Sequence, residues 1–230
     1  MKRYYFSLIL MVTIVVSVIT SCEKDDSAVG MIVSGTLEFS ERYNDEITKI
    51  QVDVLELENI GVPVFKRVTL ASGEYSNGKF SLELPARIDD NYLKQNFSNE
   101  NLEPYIKVSD KRVKTGIFDF RAIDFGETIK EGNGMGIYLS KDLPLVYIKS
   151  DDISTTKGLF FYADRNCSIT GTEPVSSEHH TITYSMNLKR GWNIVYHTEK
   201  YMETADKQIR IEELSTETVS GLKWYVMGDF

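Results

Sequence analysis

The chain has 230 residues, 34 acidic side chains against 26 basic ones, and a formal charge of −8. An acidic chain without a basic patch interleaved with aromatics repels nucleic acid, so nucleic-acid binding is excluded. Thirteen tyrosines and eleven phenylalanines, set among many Val, Ile and Thr, fit pleated strands better than helices.

The first element is a targeting segment. Lys2 and Arg3 form a positive start, and residues 4–19 are an almost uninterrupted apolar run. That run falls short of the roughly 20 residues a spanning helix needs and matches a signal-peptide core. It ends Ile19-Thr20-Ser21-Cys22, followed by Glu23-Lys24-Asp25-Asp26. This junction resembles the lipobox of bacterial lipoproteins, in which cleavage leaves the cysteine as a lipid-bearing N-terminus. The resemblance implies lipidation at Cys22. Each buried methylene then contributes about 0.8 kcal/mol, so several acyl chains hold a protein where one would not. Lys24-Asp25-Asp26 is similar to the acidic export tag of Bacteroidetes lipoproteins, which implies an outer-membrane address with the body facing outward; an ordinary solvated tether is the other reading.

Removing residues 1–21 leaves 209 residues and takes away Lys2 and Arg3, so the charge falls to −10. With Cys22 lipidated, Cys167 has no partner for an intramolecular disulfide. It sits in the strand-like run Asn166-Cys167-Ser168-Ile169-Thr170 and reads as an inert buried thiol.

The mature chain opens with strands. Val33, Leu37 and Phe39 share one parity, and Ile50-Gln51-Val52-Asp53-Val54 alternates cleanly. Asn77-Gly78 predicts a two-residue turn with φ > 0 at both positions. That turn pairs Tyr75 with Phe80, Gly73 with Leu82 and Ala71 with Leu84 on an apolar face. The polar face pairs Ser76 with Lys79, Glu74 with Ser81 and Ser72 with Glu83. A slip of one residue destroys both faces. The pieces Val33-Ser34-Gly35-Thr36-Leu37, the strand 50–57, and Asn77-Gly78-Lys79-Phe80-Ser81-Leu82-Glu83-Leu84-Pro85 resemble the carboxypeptidase-regulatory-like, transthyretin-like β-sandwich. In that family the domain is an accessory module without catalytic residues, and the insert 58–71 is longer here than its pattern.

Residues 89–103 are rich in Asn, Asp and Ser, with a short helical turn expected at 91–95. They mark either a domain boundary or an Ω-type excursion inside a larger fold. Strands resume at 105–108 and 114–123. Gly132-Asn133-Gly134-Met135-Gly136 precedes no helix with a Lys-Ser/Thr, so it reads as a turn rather than a phosphate loop. Further strands are expected at 145–148, 158–162, 168–170, 181–188, 192–198, 208–212 and 222–227. A three-residue loop, Lys189-Arg190-Gly191, predicts a hairpin that pairs Leu188 with Trp192, Met186 with Ile194, Tyr184 with Tyr196 and Ile182 with Thr198. The phrases Tyr162-Ala163-Asp164-Arg165, Leu188-Lys189-Arg190-Gly191-Trp192-Asn193 and Gly221-Leu222-Lys223-Trp224-Tyr225 are similar to segments of a small Bacteroidetes lipoprotein family, which implies architecture and location only.

Candidate chemistry is sparse. On the hairpin register His180 shares the parity of Ile182 and Tyr184, His197 faces the other way with Asn193, and His179 sits in the preceding loop. With no HExxH and no matched pair at i, i+2, no metal site is expected. Asn44-Asp45-Glu46 and Ser150-Asp151-Asp152 read as turns, since neither spacing guarantees the convergence calcium needs. There is no GxSxG and no cysteine with a legible base, so no enzyme is expected and no cofactor. Trp192 and Tyr196 lie on the apolar hairpin face. Trp224 and Tyr225 are adjacent, so one of them points away from the core, which makes them the weak candidates for ligand binding, with sugars as the ligand.

The reading is an all-β protein of two sandwich-like antiparallel modules after a lipoprotein signal peptide. Residues 1–21 are the signal, 22–31 a lipidated tether, 32–100 an N-terminal β-sandwich and 101–230 a C-terminal β domain. The expected role is a non-enzymatic, lipid-anchored cell-surface module that mediates envelope interactions or assembly, with the membrane and other envelope proteins or glycans as partners. The alternatives are a glycan-binding accessory lipoprotein of a polysaccharide-uptake system and a pilus-like subunit that donates a strand, for which 224–230 is the candidate.

Overall fold

The computed structural model describes residues 30–42, 47–59, 63–98, 102, 104–124, 135–141, 152–175, 179–204 and 207–227. They form thirteen strands: β1 Met31–Thr36, β2 Ile47–Asn59, β3 Pro63–Ser76, β4 Lys79–Leu84, β5 Ile106–Val108, β6 Thr115–Asp124, β7 Met135–Ser140, β8 Asp152–Ala163, β9 Cys167–Pro174, β10 His180–Leu188, β11 Gly191–Thr204, β12 Lys207–Ser215 and β13 Lys223–Met227. The fold is all-β. The helical turn expected at 91–95 is one 3-10 turn, Asp90–Tyr92, capped by the Asp89 carboxylate, which accepts from Asn91 N at 2.9 Å.

The Asn77-Gly78 turn forms with φ of 50° and 79°, and its apolar face is the one expected: Tyr75, Phe80, Leu82 and Leu84 are all buried. Only Tyr75 with Phe80 and Ser76 with Lys79 are laddered across it. Beyond them the strands diverge, β4 pairing with β1 and β3 pairing with β2. The hairpin is therefore a corner between layers. Gly73 lies where the layers part, and a Cβ there would overlap Ser81 O.

The strand path runs β1-β4-β3-β2-β6-β7, and β13 pairs with β7 from Lys223↔Ser140 to Met227↔Gly136. The parallel bridge Leu37↔Trp224 then joins β13 to the residue after β1, with Glu38 N donating to Trp224 O at 2.8 Å. Seven strands thus close on themselves as a barrel around Val33, Ile50, Val52, Phe80, Leu84, Phe118, Phe120 and Trp224. Phe39 departs from the parity expected of it. The chain turns after Leu37, and Phe39 is exposed with φ of 56°.

Strands β8 and β11 are a wall shared by two cores. Phe160 and Tyr162 enter the barrel core, while Phe161 and Ala163 enter a second core with Ile169, Met186, Leu188 and Val195. A strand buried on both faces reads as a continuous apolar run, which is what Leu159-Phe160-Phe161-Tyr162-Ala163 is. The wall is fastened to the barrel by Trp192 Nε1, which donates to Pro85 O at 2.8 Å, and by Tyr162 OH, which donates to Ala86 O at 3.3 Å. The two cores are not consecutive stretches of the chain. Strands β6, β7 and β13 complete the barrel, while Phe97 packs into the second core with Leu102.

The second core is wrapped by the order β8-β11-β12-β10-β9-β5. Here the expected 181–188/192–198 hairpin is replaced. Strand β12 lies between β10 and β11, antiparallel to β11 and parallel to β10. The residues that looked like one hairpin face feed two cores: Met186 and Leu188 face the second, Trp192 and Ile194 the barrel. The connection at 189–191 bends between layers, with Gly191 at φ 97°. Asn193 pins it, its Oδ1 accepting from Lys189 N at 2.8 Å and its Nδ2 donating to Lys189 O and Gly191 O. The expected strand 145–148, the glycine cluster before Met135 and the acidic turns at 44–46 and 150–151 lie outside the described residues.

Candidate functional site

Strand β12 alternates Gln208, Arg210 and Glu212 with Ile209 and Ile211, so its polar side chains line one face. The parallel neighbour β10 sets His180 opposite Arg210, and the antiparallel neighbour β11 sets Glu199 opposite Glu212 and Tyr201 opposite Arg210. Two carboxylates directly across an antiparallel ladder repel each other. Here a cation separates them: Arg210 Nη2 lies 3.1 Å from Glu199 Oε1 and 2.9 Å from Glu212 Oε1.

Glu212 is the hub and is buried, at 8% exposure. His180 Nε2 is 2.6 Å from its Oε1, and His197 Nε2 is 2.7 Å from its Oε2. Burial pushes the Glu212 carboxyl upward, but hydrogen bonds from His180 and His197 and the Arg210 charge outweigh it, leaving it below the ordinary glutamate value. The carboxylate is therefore held ionised in a buried setting. His197 Nε2 also lies 3.7 Å from Glu199 Oε1. The guanidinium of Arg210 sits over the Tyr201 ring, 5.4 Å from its centroid, and its Nε is buried without a hydrogen-bond partner among the described residues. Burial raises the Tyr201 phenol above its usual value, and the Glu199 charge adds to the rise.

Chemically, one carboxylate bonded to two imidazoles is an arrangement for holding charge and for gripping a cation. The ligand atoms of His197, Glu199 and Glu212 lie within 4.8 Å of one another. Further along the same face of β10, Tyr184 OH donates to Glu173 Oε1 at 2.5 Å; burial first, and then the hydrogen bond to Glu173 and its charge, raise this phenol far above its usual value.

The residues singled out from sequence are placed elsewhere. Cys22 lies outside the described residues. Trp224 and Tyr225 are both buried, at 7% exposure each, so neither offers an open face to a sugar. Adjacent strand residues point to opposite faces, and Tyr225 escapes exposure because its side of β13 is covered too. Trp224 packs edge-on to Phe80 at 5.1 Å between centroids and stacks at 5.8 Å on Phe160. Cys167 is buried as expected, its Sγ 3.6 Å from Asp110 O.

The His–Glu cluster is what sequence reasoning missed. A direct β10–β11 hairpin puts His180 and His197 on opposite faces; with β12 inserted, both reach Glu212. One signal stood in the chain: His197 and Glu199, two apart on a strand, share a face. Compared with protein-family models, curated proteins and solved structures, the chain finds no match.

Proposed function

We propose that this chain is a lipid-anchored module of the cell envelope that acts by contact with other envelope proteins and carries out no catalysis. The observation that carries the reading is the edge at β1. This strand is laddered to β4 on one side; β13 meets its other side only at the Leu37 bridge just past its C-terminal end, and no ladder covers Met31–Thr36 there among the described residues. Ile32 projects from it at 71% exposure. An unladdered stretch of edge with an apolar side chain is a template for strand pairing, and Met31 follows Cys22 by only nine positions, so little chain separates this edge from the anchor. The lipobox-like junction at Cys22 supports the anchor itself.

Cys22→Ala is expected to abolish palmitate incorporation and move the protein from the membrane fraction to the soluble one. A photo-crosslinking residue at position 32 is expected to give discrete adducts in intact cells, and one at the exposed Lys200 none. Retention of the Cys22→Ala variant in membranes, or identical adduct patterns from the two positions, overturns the reading.

A second reading, a pilus-like subunit, is favoured by β13. It is the last described strand, bonded along β7 on one side and by the single Leu37 bridge on the other. Such a strand is suited to exchange between copies. Lys223 and Ser140 are cross-strand partners, so the Lys223→Cys/Ser140→Cys pair ties β13 to its own barrel when oxidised. Strand exchange then requires that oxidation block concentration-dependent oligomers and that reduction restore them, read by light scattering. Oligomers indifferent to the disulfide leave β13 a purely internal strand.

A further inference from the structure

We infer that His197, Glu199 and Glu212 form a binding site for a zinc-like divalent cation, with Arg210 as the resident counter-charge that the ion displaces. The inference stands apart from the contact function proposed above. Three features of the geometry lead to it.

The ligand atoms converge from two adjacent strands. His197 Nε2 is 2.7 Å from Glu212 Oε2 and 3.7 Å from Glu199 Oε1. These spacings straddle the roughly 3.3 Å between ligand atoms of a tetrahedral ion bound at about 2.0–2.1 Å. One imidazole and two carboxylates are a zinc-type donor set, and a fourth position is left to water or to a partner's side chain.

The cluster also holds its positive charge loosely. Glu199 and Glu212 face each other across the β11–β12 ladder, and the positive charge between them is a single guanidinium nitrogen. That guanidinium is poorly committed. Both contacts use Nη2, Nε is buried with no hydrogen-bond partner among the described residues, and the side chain, already lying over the Tyr201 ring, is 38% exposed, so it can swing away from the carboxylates towards water. A forked, bidentate arginine would resist displacement; this one makes no fork.

The supporting shell is built as well. When His197 Nε2 and Glu212 Oε2 turn to the ion, Glu212 Oε1 still accepts from His180 Nε2, now 2.6 Å away. A histidine that orients a ligating carboxylate through its other oxygen is the kind of outer contact that tunes metal affinity. His180 is thus a positioning residue, delivered by the parallel strand β10.

The test uses the mature chain purified in detergent without a polyhistidine tag, stripped with chelator and titrated calorimetrically with zinc chloride alone. The expected result is saturable binding of one zinc per chain with a rise in melting temperature, and no comparable response to magnesium or calcium. His197→Gln and Glu199→Gln are each expected to weaken zinc at least about tenfold. Arg210→Met is expected to tighten it, by roughly tenfold, because the competing charge is gone. Cobalt(II) in the unaltered chain is expected to give the intense visible absorption of a four-coordinate site, a readout that does not depend on any variant folding. Absence of saturable zinc binding, affinity unchanged in His197→Gln, an equal response to calcium, or weaker binding in Arg210→Met each overturns the inference.

Discussion

Trp224→Ala is expected to cost about 3–5 kcal/mol of stability, the range for emptying a large buried aromatic site. The indole touches Phe80, Phe120 and Phe160, which come from β4, β6 and β8, and Gly35 is cut to its shape: a Cβ there would overlap the indole ring. The loss reaches further than a cavity, because β13 closes the barrel and Trp224 is its bridging residue to Leu37. Chemical denaturation of the chain from residue 22 onward measures the effect. Trp224→Phe is expected to recover part of the loss by refilling the centre of the site. If Trp224→Ala melts within a degree of the parent, the barrel does not depend on its closing strand. The same result would reopen the possibility that the ring serves a ligand.

Gly73→Ala is expected to be as damaging, at about 3 kcal/mol or more, for a different reason. The added methyl would overlap Ser81 O and lie 2.7 Å from Leu82 Cβ, where β3 and β4 cross from one layer to the other. The obstruction is backbone, so no rotamer change relieves it. Gly191→Ala provides the contrast. That glycine has φ of 97° but nothing within 4 Å of an added Cβ, so only conformational strain is incurred, about 1–2 kcal/mol. At about 2–4 °C per kcal/mol for a chain of this size, thermal melting separates the two variants. Equal losses would mean that steric approach at the corner is not what selects Gly73.

The fold class was legible because strand periodicity is local. Tyr75, Phe80, Leu82 and Leu84 fell on the buried face that the Asn77-Gly78 turn dictated, and Cys167 fell in the core. The pairing partners were not legible, because ladders are made between distant segments. Leu188 and Trp192 satisfied a hairpin register perfectly well, yet they serve different cores, and nothing local distinguishes one apolar face from two. The barrel's make-up was hidden on the same ground, since the strand that completes it begins at Lys223. The His–Glu cluster followed from those pairings: it is assembled by three strands, and with β12 placed outside the β10–β11 pair its members scatter. The aromatic doublet Trp224-Tyr225 misled because alternation guarantees opposite faces but leaves open whether the second face is also covered.

The bridge between Leu37 and Trp224 spans 187 positions of the chain. Closure of the barrel must therefore wait until residue 224 has emerged, however early β1 to β4 collapse. Ladders that join remote segments slow folding, and until the last one forms the unsealed seam leaves apolar residues such as Phe80 and Phe120 open to aggregation. A chain built this way matures late and all at once, and a nascent form stalled before residue 223 would be a substrate for chaperones and proteases.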